Sequence, residues 1–271
     1  MSRTRHGRVT GALLALTAAA LWSGTGDAQE PARERARRHM DALVAAYPDF
    51  LAGHEGNDIV WRDGARTPFD DGTGEKSFDA RLEAPDLEDM FYAPYPPGRS
   101  GLPPAFQSDP GRVRFQPLFA RMYGDCTKGE VSSNLVDVVW LRSRGGQILK
   151  ATRINGVAQK LQAISDELDK LPAEFMPYLI PSAGTVNCRT VAGTTRISAH
   201  GMGIAIDIAV ARADYWRWTR PDAGGTYAHR NRIPWEIVEV FERHGFIWGG
   251  KWYHYDTMHF EYRPEIVAGA R

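Results

Sequence analysis

Cysteine is scarce in this 271-residue chain: only Cys126 and Cys188 are present, so at most one bridge can form, and neither has zinc-finger spacing to a second Cys or a His. A bridge, two buried thiols, or Cys188 as a lone metal ligand remain the options. Net charge is equally scant. Lysine plus arginine number 33 and the acids 33, which leaves no basic excess for nucleic acid and no charge block for a tail. Beyond the first two dozen residues no apolar run approaches the ~20 residues of a membrane-spanning helix, so a permanent span is not expected. No Gly-x-Ser-x-Gly elbow surrounds Ser198, and no Asp-x-Asp-x-Asp-Gly loop organises Asp63, Asp70 and Asp71. A serine nucleophile and an EF-hand both drop out; those acids read as turn residues.

What is present is globular in composition, 43% hydrophobic and 24% charged. Arg3, Arg5 and Arg8 precede an apolar run from Ala12 to Trp22, and Gly26-Asp-Ala28 supplies small residues where a signal peptidase would cut. Residues 1–28 are therefore expected to be a signal peptide, and the mature protein to be exported to the periplasm or beyond. Arg3, Arg5, Arg8 and Asp27 leave with it, so the net charge moves only to about −2. No Cys follows the cut, which argues against a lipid anchor. Export in turn favours the Cys126–Cys188 bridge, which would tie the loop around residue 189 to the segment before residue 137.

Residues 29–110 read as an N-terminal extension. Pro31 opens an amphipathic helix over residues 31–47 with Ala36, Met40, Leu43, Val44 and Tyr47 on one stripe, ended near Pro48. Short apolar pieces between turn signals follow from Ile59 to Gly101, and residues 99–111 look like a connector. The remaining domain, 111–271, begins with a hairpin: Asp137-Val-Val-Trp-Leu-Arg142 and Gln147-Ile-Leu-Lys-Ala-Thr152 flank a turn with Gly145 and Gly146. Asn155 is placed to cap a helix facing inward with Val157, Leu161, Ile164, Leu168 and Leu171. Pro234 and Gly245 bracket another, with Ile237, Val238 and Phe241 inward. The order is that of an α+β protein with hairpins in place of crossovers.

The chain's chemistry concentrates in Ser198-Ala-His-Gly-Met-Gly-Ile-Ala-Ile-Asp207 and in Asp256-Thr-Met-His259. Two imidazoles and a carboxylate are the ligand set a catalytic zinc prefers, because a fourth tetrahedral position stays open. Gly201 and Gly203 allow a tight turn after His200, and Ile204 to Val210 then reads as a buried strand. Asp207 would lie mid-strand among isoleucines, where an ionised carboxylate requires a cation or a core arginine. His259 read alone is as well explained as an aromatic-core histidine. Asp256, three positions before it, has the offset of a general base.

The ordered pattern Ser-x-His-x-x-Gly-x-Ala-x-Asp, then Asp-x-x-His-Phe-Glu, resembles the signature of the D-alanyl-D-alanine carboxypeptidase family of zinc peptidases, which has an L-alanyl-D-glutamate endopeptidase branch. The likeness runs through about residues 180 to 262. It implies an antiparallel sheet with helices packed on one side, a Hedgehog/D-Ala-D-Ala-peptidase-like fold carrying an N-terminal extension. It implies one zinc ion held by His200, Asp207 and His259, Asp256 as base where the family often has Glu, and a peptidoglycan peptide as substrate. An arginine upstream of the first His contacts the substrate in that family, and Arg189 holds the place. Arg196, on a face shared with Ser198 and His200, competes for it.

Ser198 is expected to support His200, and His254 and Trp252 to line the cleft, with a core role for His254 equally open. The Gly-Thr-Val-Asn-Cys-Arg and Trp-Gly-Gly-Lys-Trp pieces look more like the endopeptidase branch. Cleavage between L-Ala and D-Glu is thus the first expectation and D-Ala-D-Ala carboxypeptidase activity the second. A wall-binding module with a zinc site but no turnover is the reading from another class. The oligomeric state is left open.

Overall fold

Alternating turn glycines and short β-rich runs give this chain small sheets. The computed structural model describes residues 31–96, 98–99, 102–191 and 194–269 in addition to Met1. The expected signal peptide, residues 1–28, lies outside the described residues apart from Met1. Residues Ala32–Arg271 make one compact unit, α+β as the element order implies.

Helix α1 (Ala32–Ala46) buries Met40 and Leu43, with Tyr47 just past its end. It leads into a three-stranded antiparallel meander of β1 (Leu51–Glu55), β2 (Asp58–Trp61) and β3 (Arg66–Pro68). Helix α2 (Phe78–Glu83) starts at Ser77, whose hydroxyl accepts from the Ala80 N–H. Helix α3 (Gln116–Tyr123) precedes the hairpin of β4 (Leu135–Trp140) and β5 (Gln147–Thr152), paired in register from Leu135 opposite Thr152 to Trp140 opposite Gln147. Helix α4 (Val157–Leu168) buries Val157, Leu161, Ile164 and Leu168 as its stripe predicts. The short α5 (Met176–Leu179) then leads to β6 (Ala205–Asp207), α6 (Trp235–Arg243), β7 (Phe246–Trp248), β8 (His259–Tyr262) and α7 (Pro264–Gly269).

The last sheet runs β6-β8-β7, antiparallel throughout, with β8 at its centre. All four residues of β8 are buried, and Phe260 stacks on Phe241 of α6 with ring centroids 3.8 Å apart. Burying one such ring stabilises the fold by about 1.5–3 kcal/mol. The sheet is thereby held still beneath the residues it displays.

Two local expectations need correction. Asn155 does not cap α4: it sits at φ 53°, Gly156 takes the cap position without a side-chain bond, and the Asn155 amide donates to Tyr123 Oη. The strand expected over residues 204–210 spans only Ala205–Asp207. Just beyond it the Ile208 N–H still donates to Met258 O, in register with β8, and at Ala209, whose N–H donates to Tyr178 O, the chain leaves the ladder. Asp207 ends the assigned strand, where its carboxylate lines a cleft.

Candidate active site

A short 3-10 turn, Ala199–Met202, carries His200 inward to 4% exposure. Both glycines after it are required by contact. A Cβ on Gly201 would lie 2.8 Å from Ile197 Cγ2 and 2.9 Å from Cys126 Sγ. Gly203, at φ 69°, adopts a left-handed conformation and would strike Leu135 Cδ2 at 2.8 Å. The chain then enters β6, and antiparallel register sets Asp207 directly across from His259 on β8. Opposed residues in such a ladder bring their Cβ atoms to about 4.5–5.5 Å, so pairing alone joins two side chains 52 positions apart.

The three side chains converge. Asp207 Oδ1 lies 3.0 Å from His259 Nδ1 and 3.2 Å from His200 Nε2, and the two ring nitrogens are 3.2 Å apart. Bonds of about 2.0–2.1 Å at tetrahedral angles would place ligand atoms about 3.3–3.4 Å apart, close to this triangle. The outer nitrogens assign the tautomers: His200 Nδ1 faces Thr185 O at 2.9 Å and His259 Nε2 faces Glu261 Oε2 at 3.1 Å. Both partners only accept, so both outer nitrogens carry hydrogen and the inner ones present lone pairs. Two lone pairs and a carboxylate pointed at one another repel unless a cation stands between them. The residues therefore fit a metal ion on the chemistry of their donor atoms.

Without that ion a proton substitutes. Burial opposes charge on His259, but hydrogen bonds to Asp207 and Glu261 outweigh it and push the imidazole up to about 10. Burial likewise opposes the Asp207 carboxylate, and the bonds to His200 and His259 hold it far below its ordinary range. Behind His259 stands a buried ionic cluster. Glu261 pairs with Arg114 at 3.1 Å and Arg263 at 3.0 Å, and Arg263 Nε donates to Glu265 at 2.5 Å. Tyr47 at the end of α1 donates to Glu265 Oε2 at 2.6 Å. Every lone pair that orients the ring is thus itself held.

Asp256 lines the same cleft, and its Oδ1 is buried with no hydrogen-bond partner. Burial pushes its carboxyl up to about 6; His259 works against that shift and Asp207 adds to it. A carboxylate kept dry beside a triad of donors is poised to exchange a proton near neutral pH.

The cleft is open to solvent and has a wall of guanidinium groups: Arg112, Arg114, Arg189 and Arg196. Among the described residues only Arg114 of these four is ion-paired, to Glu261. Arg196 is 9% exposed, donates one bond to Arg112 O at 3.2 Å, and leaves a buried Nε without a partner. Burial first, then Arg114 and Arg112, pull it down to about 10. Arg189 is exposed on the loop beside Cys188, whose bridge to Cys126 is formed with Cα atoms 5.7 Å apart. Arg112 lies over the Trp252 ring at 5.0 Å. Sequence reading missed Arg112 and Arg114, though Arg-Val-Arg after Gly111 would set both on one face of an extended segment.

Ser198 and Trp252 are among the residues lining the cleft. His254 is not among the lining residues: its Nδ1 meets Asp109 Oδ2 at 2.6 Å and its ring stacks on Phe78 at 5.7 Å. Of the N-terminal acids, Asp63, Asp70 and Asp71 each accept a backbone N–H two residues on, the mark of Asx turns. The cluster around Asp71, Asp86 and Asp89 surrounds the Lys76 ammonium at 2.9, 3.1 and 2.7 Å, so the protein supplies the cation itself.

Two imidazoles and a carboxylate that could hold a metal ion thus stand beside a second, buried carboxylate. Residues 192–262 match the family model described as D-alanyl-D-alanine carboxypeptidase. The resemblance drawn from the two motifs is borne out over that span, which holds His200, Asp207, Asp256 and His259. No curated protein and no solved structure matches the chain. Among the described residues no helix is long and apolar enough to cross a membrane.

Proposed function

We propose that this chain is an exported zinc peptidase that hydrolyses an amide bond in peptidoglycan stem peptides, with residues 111–271 as its catalytic part. The observation that carries the reading is the triangle of His200 Nε2, Asp207 Oδ1 and His259 Nδ1 beside the unpartnered Asp256 Oδ1. A zinc ion bound there supplies Lewis acidity, polarising the scissile carbonyl and acidifying water. Asp256 takes the proton from the attacking water and returns it to the departing amine. Arg196, held by Arg112 O and with no ion pair among the described residues, holds a carboxylate of the substrate, assisted by Arg112. Arg189, on the bridged loop, turns toward the scissile oxygen and stabilises the charge that develops there. Thr185 O and Glu261 keep the two imidazoles turned to the ligand position.

Both stem-peptide bonds under consideration release a residue with a free α-carboxylate: terminal D-Ala in one case, γ-linked D-Glu in the other. The arginine wall suits either. The peptide segments around Cys188 and Trp248 favour the L-Ala–D-Glu bond; the description of the matched family favours D-Ala–D-Ala. Mass spectrometry of the products from a defined muropeptide decides, since the masses released differ. Binding of peptidoglycan with no new amino termini, in the zinc-loaded protein, would sink the hydrolytic reading in favour of a wall-binding module.

A further inference from the structure

The matched family segment begins well after residue 111, yet the loop that carries Asp256 is gripped from before it. Four consecutive residues, Ser108 to Gly111, take hold of Trp252 to His254 and of Arg263. The Tyr253 N–H donates to Ser108 O at 2.9 Å, and Trp252 Nε1 donates to Pro110 O at 2.6 Å. Between them Asp109 is fully buried and spends both carboxylate oxygens on one residue: Oδ1 accepts the His254 N–H at 2.9 Å and Oδ2 meets His254 Nδ1 at 2.6 Å. Arg263 NH1 donates to Gly111 O. The grip is itself anchored. Tyr92 Oη accepts the Asp109 N–H at 2.8 Å and donates to Gln107 O at 3.0 Å. Gly111, at φ 90°, lies so close to β7 that a Cβ there would stand 2.2 Å from Ile247 Cδ1.

Asp256 has no such side-chain hold of its own. Its Oδ1 lacks a partner, and its place is set only by its backbone, whose N–H donates to Gly249 O at 2.9 Å and which bridges to Tyr215. The position of its carboxylate therefore depends on the turn that leads to it. We propose that Asp109 is a positioning residue: by clamping His254 through both backbone and ring, it fixes the Trp252–Asp256 turn and so sets where the Asp256 carboxylate stands. This rests on the peptidase reading above for its catalytic consequence, but the clamp itself is a property of the fold.

The metal ligands do not touch Asp109, which separates its role from theirs. In the zinc-loaded full chain, Asp109→Ala is expected to lower kcat on a muropeptide by about 10- to 100-fold, the cost of misplacing a reacting group by about 1 Å. KM and zinc affinity should stay within about threefold, a margin inside which no binding contact has been lost. Asp109→Asn keeps an acceptor for the His254 N–H and should restore most of the loss. In an Asp256→Ala background, Asp109→Ala should cost little more, because residues that act through one another are not additive. Amide exchange should quicken across residues 252–257 and nowhere else. Unchanged kcat, losses that multiply in the double variant, or exchange rising over the whole protein would each overturn the proposal. A wild type without turnover would sink the peptidase reading and leave the exchange pattern to decide the clamp. Should Asp109→Ala not fold, His254→Gln must show the same loss confined to kcat, and its absence would overturn the proposal.

Discussion

Asp207 and His259 face each other across adjacent strands with Oδ1 and Nδ1 3.0 Å apart, and His200 Nε2 stands 3.2 Å from both atoms. A buried carboxylate and two imidazoles with their lone pairs turned inward are an arrangement that a cation completes.

Removing one ligand should therefore abolish tight metal binding. Asp207→Asn keeps the shape and deletes the charge, and we expect zinc affinity to fall by at least about 100-fold, with activity lost in step. Chelation of the wild type should lower its melting temperature, and zinc should restore it. Calorimetry and thermal melts with and without chelator check both. Full zinc affinity in Asp207→Asn would remove Asp207 from the ligand set.

Zinc binding should also release protons. In the metal-free protein His259 is held protonated up to about 10, first against burial and then by Asp207 and Glu261. The raised value stabilises the metal-free fold fully below the ordinary histidine range, and that contribution is lost as pH rises through about 10. At pH 7 the incoming ion must displace that proton, so titration in buffers of different ionisation enthalpy should report about one proton released per ion. A buffer-independent enthalpy at pH 7 would contradict the assignment.

Asp256→Asn should separate stability from turnover. Burial raises the Asp256 carboxyl to about 6, so ionisation destabilises the metal-free fold as pH climbs from the ordinary aspartate range through about 6. The amide carries no such penalty, and the metal-free variant should be more stable at pH 7 by about 1–3 kcal/mol in denaturant unfolding. Turnover should fall about 100- to 10,000-fold with zinc stoichiometry unchanged. In the wild type, kcat/KM should fall on the acid side near or below pH 6, since a bound cation favours the ionised carboxylate. That limb should be absent from whatever activity the variant retains.

Reducing the Cys126–Cys188 bridge, or replacing both residues by Ser, should cost about 2–5 kcal/mol of stability. It frees the loop that carries Arg189, so KM or kcat should worsen while zinc affinity holds. Measuring all three after mild reduction tells the loop's contribution from that of the metal site.

The convergence of His200, Asp207 and His259 was legible because coordination chemistry admits few residue types, and the three sit in an ordered pattern with glycines whose necessity the contacts explain. The stripes of α1, α4 and α6 were legible from periodicity alone. Strand β1 was not, since Leu-Ala-Gly-His-Glu has a single apolar residue turned inward and no alternation to find. The end of β6 was misjudged because Ala209 and Val210 continue the apolar run past the point where Tyr178 takes over the hydrogen bond. Asn155 has the chemistry of a cap, but a tertiary partner, Tyr123, claimed its amide. Arg112, Arg114 and Asp109 act across more than 80 positions of sequence, and no local pattern announces a contact of that range.

The buried run from Tyr47 through Glu265, Arg263 and Glu261 to His259 has a bearing on how this molecule tolerates change. Its charges alternate in sign along a path that water does not reach, so deleting any one leaves its neighbours mismatched all the way to the imidazole. A lesion at the end of the first helix, far from any substrate, would then be felt as a rotated ligand. Surveys of inactivating substitutions should find Tyr47, just past the first helix, among the sensitive positions for that reason.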